Sequence, residues 1–188
     1  MQILLVIIFS YLIGSIPTAY ILGRLFFKKD VRRNGSGNVG TLNFLRVTHS
    51  KLLAIIVLIL DAFKGYAALW CTNHYAGLEY LLISSVSVVI GHIFPVWLNW
   101  KGGRGLATLA GIFIFLKPIL VIWWWIIFGI LYLIIKRYII AGMLALFFIN
   151  ILTGIFYSVD IFLILSANSV IVYLKYIPRI KQELNEHN

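Results

Sequence analysis

Two short stretches of this chain are built from residue types that bind anions. The first reads Arg32-Arg33-Asn34-Gly35-Ser36-Gly37-Asn38-Val39-Gly40-Thr41-Leu42-Asn43, followed by Arg46. Glycines interleaved with small polar residues let a ligand approach the backbone closely, and successive N–H groups in such a turn can converge on an anion. Ser36, Asn38, Thr41 and Asn43 add hydroxyl or amide groups, and Arg46 adds a guanidinium able to make paired hydrogen bonds. The second stretch, Lys101-Gly102-Gly103-Arg104-Gly105, runs directly into an apolar segment beginning at Leu106. A glycine turn ahead of a helix offers unpaired N–H groups and the positive end of the helix dipole, and Lys101 and Arg104 bring full charges. Phosphate is the anion these loops suit. Taken singly, the first could be a flexible Gly/Ser linker and the second a cationic loop that only sets membrane orientation; their occurrence together favours a site. Gly35-x-Gly37-x-x-Gly40 also fits the dinucleotide fingerprint, but no strand precedes it and no βαβ unit can form.

Other polar residues lie inside apolar segments. Asp61 and Lys64 are spaced i, i+3, so on a helix they share a face and can pair. Charge within a membrane is costly and usually functional, although an ion pair that only locks helix packing is as good a reading. His92, shortly before Pro95, is a packing residue unless it reaches the loops. Trp123-Trp124-Trp125 suits an interfacial anchor. The histidines are dispersed and carboxylates scarce, so no metal site, cofactor or Ser-His-Asp arrangement is implied. The single cysteine, Cys71, excludes an internal disulfide.

The elements that must carry these residues are membrane helices. Of the 188 residues, 62% are hydrophobic and 12% charged, and the mean hydropathy is +0.98, well outside the range of soluble domains. A soluble nucleic-acid binder is therefore excluded despite the net charge of +10. A span needs about 20 apolar residues, and Ile3–Phe27, Leu52–Trp70, Tyr80–Leu98, Ile139–Phe156 and Ile161 to about Tyr173 qualify. The first lacks a basic residue ahead of it and a cleavage site after it, so it reads as a retained helix and not a signal peptide. Leu106–Ile135 is interrupted at Lys117-Pro118, where a proline ends helices. A reversal there places the basic clusters at 28–51, 101–104, 136–137 and 175–181 in one compartment, Lys117 excepted, while the loops around 71–79 and 157–160 carry no Lys or Arg. The expectation is an all-α polytopic membrane protein of about seven transmembrane helices, N-terminus outside and C-terminus cytoplasmic. Residues 1–188 form one membrane domain, with cytoplasmic loops 28–51 and 99–105 and a cytoplasmic tail 175–188.

The motifs resemble those of bacterial acyl-phosphate:glycerol-3-phosphate acyltransferases. The likeness runs through Gly14-Ser15-Ile16-Pro17, Ser36-Gly37-Asn38-Val39-Gly40 with Asn43 and Arg46, Asp61-Ala62-Phe63-Lys64-Gly65, Gly91-His92-Ile93-Phe94-Pro95 and Lys101-Gly102-Gly103-Arg104-Gly105-Leu106-Ala107-Thr108. It implies a membrane enzyme that moves a fatty acyl group from acyl phosphate to the 1-hydroxyl of glycerol 3-phosphate. The products would be lysophosphatidic acid and phosphate, in the first step of phospholipid synthesis at a bacterial inner membrane. By resemblance, Ser36, Arg46 and Arg104 are catalytic. Gly35, Gly37, Asn38, Gly40, Thr41, Asn43, Lys101, Gly102, Gly103 and Gly105 bind substrate phosphate, and Asp61, Lys64 and His92 support them. The implied partners are the two substrates, the bilayer and the enzyme that makes acyl phosphate, with no nucleic acid. The chain departs from the pattern at Gly40-Thr41-Leu42-Asn43, where Gly-Ala-Thr-Asn is usual. It departs again at Lys175-Tyr176-Ile177-Pro178-Arg179, where a basic-His-x-x-Asn cluster is expected; His187 and Asn188 come too late to replace it. The alternative is a non-catalytic or substrate-shifted paralogue that binds phosphorylated lipid or a partner enzyme.

Overall fold

The computed structural model describes residues 1–185, and His187 and Asn188 lie outside them. It is helical, with no strand among the described residues. The helices are α1 (Gln2–Ser15), α2 (Thr18–Phe27), α3 (Thr41–Thr48), α4 (Lys51–Tyr75), α5 (Leu81–Ile93), α6 (Leu106–Leu116), α7 (Ile119–Ile135), α8 (Tyr138–Phe156) and α9 (Val159–Asn185). Short 3-10 turns occupy Leu78–Tyr80 and Val96–Leu98. Five stretches are long and apolar enough to cross a membrane, namely Gln2–Phe27, Lys51–Tyr75, Leu78–Leu98, Tyr138–Phe156 and Val159–Asn185, while α6 and α7 are shorter apolar helices.

Four boundaries differ from the sequence reading. The first apolar stretch is not one helix, because Pro17 cannot donate to the ladder and its ring excludes a helical partner. The backbone is extended at Ile16 and resumes as helix at Thr18. The polar stretch 28–51 contains α3, whose apolar face buries Phe44 and Val47. The helix expected over Tyr80–Leu98 ends at Ile93, ahead of Pro95. The last helix continues past Tyr173 to Asn185 with Pro178 inside it. The break at Lys117-Pro118 falls where expected, between α6 and α7.

The chain folds as two compact units, Met1–Ile112 and Phe113 onward. In the first, α1 packs on α5 and α4, and glycine makes the approach close. A side chain at Gly14 would strike the Val88 carbonyl, and one at Gly91 the Tyr11 carbonyl. Gly65 meets the backbone of Thr108, and Gly111 that of Ala62, in the same way. Small residues take this part in membrane proteins because lipid supplies no hydrophobic drive for helices to associate, leaving van der Waals contact and hydrogen bonds. The Ser10 and Thr72 hydroxyls each lie 2.9 Å from Ser84 Oγ, a buried bridge joining α1, α4 and α5. Gln2 Nε2 donates to the Ala76 carbonyl at 3.2 Å, so the N-terminus and the α4–α5 turn share one end of this unit. The segments 28–50 and 94–105 therefore share the other.

The second unit stacks α7 on α8 and α8 on α9. Asn150 Nδ2 donates to Ser169 Oγ at 2.9 Å, and Ser166 Oγ donates to Asn150 Oδ1 at 3.2 Å. The Glu183 carboxylate accepts from the N–H groups of Ile139 and Ile140, at 3.3 and 3.1 Å, which caps the positive end of α8.

Candidate active site

The first loop is held by two side chains, Asp30 and Asn43. Helix α2 stops at Lys28, which takes a left-handed conformation. Asp30 then accepts from Arg32 three times, at 3.0 Å from its N–H, 3.0 Å from Nε and 2.8 Å from Nη2. The Arg32 hydrogen bond is the main cause that holds the Asp30 carboxyl below the ordinary aspartate range. The same bond raises the already basic guanidinium, which also lies 4.7 Å from the centre of the Tyr20 ring, within cation–π range. Asn43 is buried. Its Oδ1 accepts the Ser36 N–H at 2.8 Å, and its Nδ2 donates to the carbonyls of Val31 and Asn34 at 2.8 and 3.2 Å. Asn43 is thus a clamp that shapes the loop from beneath.

Gly35 and Gly37 have φ of +61° and +69°, a region that side-chain-bearing residues rarely adopt. A side chain at Gly35 would also meet Asn43 Oδ1 and crowd the Arg46 Cδ. Ser36 and Arg46 are exposed at the rim, and among the described residues nothing pairs with the Arg46 guanidinium. Gly40 caps α3 in an extended conformation, leaving the N–H groups of the first turn of α3 without helical partners. Asn38 folds back over Gly40, and the buried Thr41 Oγ1 has no partner among the described residues.

The second loop completes the end of α5. The last carbonyls of a helix have no helical donor; here the Gly103 N–H donates to the His92 carbonyl at 3.0 Å and the Gly102 N–H to that of Ile93 at 3.1 Å. Those two N–H groups are therefore spent inside the protein, and the groups left to meet an anion are those opening α6. Gly105, at φ +86°, turns the chain into that helix. Lys101 is exposed and Arg104 half-buried.

Beneath both loops lies a buried charged cluster. Asp61 Oδ1 accepts from Thr18 Oγ1 and pairs with Lys64 Nζ at 2.7 Å, and His92 Nδ1 is 3.8 Å from the same oxygen. Lys64 Nζ also donates at 2.7 Å to the Ile16 carbonyl, which the Pro17 break releases from the helix ladder. Ser15, Thr18, Asp61, Lys64 and His92 line a small cavity together with Val39, Gly102 and Gly103, with about 10 Å³ for the centre of a water molecule. That is roughly room for one water. The buried Ser15 hydroxyl has no partner among the described residues. Both loops and the cluster thus converge at one end of the first unit. Sequence reasoning did not single out Asp30, Thr18 or the Ile16 carbonyl. The available signals were an aspartate flanked by Lys28, Lys29, Arg32 and Arg33 and a proline inside an apolar span. Among the described residues no group of three or more His, Cys, Asp or Glu is placed to hold a metal ion.

The apolar helices are those of a multi-pass membrane protein, and its first unit gathers two glycine turns and their arginines at one end. Comparison with known proteins narrows the class. The family described as glycerol-3-phosphate acyltransferase matches residues 4–186. The chain is 35% identical over 179 residues to the glycerol-3-phosphate acyltransferase of Ehrlichia canis, covering 93% of both proteins. It is 42% identical over 143 residues to that of Staphylococcus haemolyticus, covering 71% of this chain and 70% of the other. The crystal structure of PlsY, an integral membrane glycerol 3-phosphate acyltransferase, in its glycerol 3-phosphate form superposes with a TM-score of 0.88 at 25% identity, covering 99% of this chain and 94% of that one. The chain belongs to the glycerol-3-phosphate acyltransferase family; it is a multi-pass membrane acyltransferase.

Proposed function

We propose that the chain transfers a fatty acyl group from acyl phosphate to the 1-hydroxyl of glycerol 3-phosphate. The hydroxyl oxygen bonds to the acyl carbon, the acyl–oxygen bond to phosphate breaks, and phosphate leaves and takes up the hydroxyl proton. The products are lysophosphatidic acid and inorganic phosphate. The observation that carries this reading is the convergence of two glycine loops, each with its own arginine, at one end of the first unit: each substrate brings a phosphate. Ser36, Arg46 and Arg104 act on the reacting groups. Gly35, Gly37, Asn38, Gly40 and Thr41 form the first phosphate cradle, Lys101 and the Gly102–Gly105 turn the second, and Asn43, Asp61 and Lys64 hold them in shape. The distribution of Lys and Arg supports about seven crossings of a bacterial inner membrane, with the loops and C-terminus in the cytoplasm. There the enzyme that makes acyl phosphate can deliver its product.

Donor choice tests the reading. Purified chain in detergent, given glycerol 3-phosphate with palmitoyl phosphate or with palmitoyl-CoA, should make lysophosphatidic acid from the former. Turnover with palmitoyl-CoA and none with palmitoyl phosphate would refute it.

A further inference from the structure

We infer that His92 is a positioning residue that seats the second glycine loop, acting through contact with Gly103 and held in place by Asp61. The inference rests on the proposal that this loop takes substrate phosphate. Three observations carry it. A side chain at Gly103 would lie on the His92 imidazole, against Nε2, Cε1 and Cδ2, and one at Gly102 would lie on the His92 and Ile93 carbonyls and Pro95 Cδ. The loop is therefore pressed onto the end of α5 with no room for a methyl group. The backbone bonds from Gly102 and Gly103 to Ile93 and His92 fix the height of the turn but not its tilt. The imidazole is the wall that fixes the tilt, and it is buried, at 7% exposure. The ring in turn sits beside Asp61, whose carboxylate is anchored by Thr18 and Lys64. A continuous packed path thus joins the broken first helix to the loop. A shift of the ring tilts the turn and moves the start of α6, where the open N–H groups lie.

Fit between two residues is read by combining their substitutions. His92→Ala, Gly103→Ala and the double variant are purified as full chains and assayed with palmitoyl phosphate and glycerol 3-phosphate. Loss of the wall in His92→Ala should raise the KM for one phosphate substrate about tenfold, the scale of one charge-assisted hydrogen bond, with kcat changed less than about threefold. Gly103→Ala should be worse by a further factor of about ten, because its methyl group collides with the ring. The double variant should recover to the level of His92→Ala, since the collision is gone. Should His92→Ala not fold, His92→Asn, which is shorter than the imidazole and still polar, gives the same comparison. Multiplying losses in the double variant would overturn the inference. So would a kcat collapse at unchanged KM in the His92 variant, because that is the mark of a group that does chemistry. Wild-type protein inert toward palmitoyl phosphate would instead refute the underlying function.

Discussion

Arg46 and Arg104 carry the charge that the proposed chemistry needs, but from different surroundings. Arg46 projects from α3 with its stem beside Gly35, and Arg104 is half-buried in the turn before α6. A hydrogen bond to a charged group contributes about 1.5–3 kcal/mol, so Arg46→Ala should lower turnover roughly ten- to a hundredfold at unchanged folded yield. Specific activity on quantified, folded protein checks this, and wild-type kinetics would remove the arginine from the site. Arg104→Lys keeps a charge that can itself bind phosphate as a point; it should be mild where Arg104→Ala is severe. The buried pair answers to a different measurement. Replacing Lys64 with Met leaves Asp61 buried without its cation, a change that typically costs about 3–5 kcal/mol, so the melting temperature in detergent should fall steeply. Asp30 acts outside the membrane and is lowered by its bond to Arg32. Its contribution to loop order is therefore complete above the ordinary aspartate value, near pH 4, and is lost only as pH drops through the lowered one. The first loop should accordingly keep its order through mildly acid buffers, which protease sensitivity between residues 28 and 40 can report.

At the scale of elements, Pro17 matters more than its neighbours suggest. By ending α1 it releases the Ile16 carbonyl to Lys64 and places Thr18 against Asp61. Pro17→Ala would let the helix run on and draw that carbonyl back into the ladder. We expect an activity loss of about tenfold, since one hydrogen bond to the Lys64 charge is surrendered, with helix content by circular dichroism unchanged or higher. The helices themselves were legible in the sequence because long apolar runs have no other use. The break at Lys117-Pro118 was legible because proline and charge agree there. The finer divisions were not. The apolar residues of Ile3–Phe27 continue on both sides of Pro17, so hydropathy does not register the interruption. Helix α3 is short and follows polar residues, and it is stabilised by burying Phe44 and Val47 against α2 and α4, a tertiary cause that no local pattern reveals. Likewise the spacing of Asp61 and Lys64 announced their pairing, whereas their grip on Thr18 and Ile16 depends on which helix lies alongside. The crossings remain a proposal that labelling can test. In a background lacking Cys71, cysteines at the exposed positions 101 and 136 should react from the same face of the membrane. Reaction from opposite faces would sink the seven-crossing arrangement.

At the scale of the whole molecule, the proposed reaction uses the two glycine loops at one end of the first unit as phosphate cradles that bring a phosphorylated donor to a phosphorylated acceptor. Tyr176 and Arg179, where the resemblance leads to an expectation of His and Asn, both lie in α9. Tyr176 is buried in the second unit, and Arg179 Nη1 donates to Gln182 Oε1 at 2.5 Å. The proposed transfer has to be followed at donor and acceptor at once. The most direct measurement is the stoichiometry of products from purified chain supplied with palmitoyl phosphate, with and without glycerol 3-phosphate. Inorganic phosphate and lysophosphatidic acid should rise together in equal amounts, and both should stop when glycerol 3-phosphate is withheld. Phosphate released without lysophosphatidic acid would mean that water, not glycerol 3-phosphate, receives the acyl group, and would contradict the account.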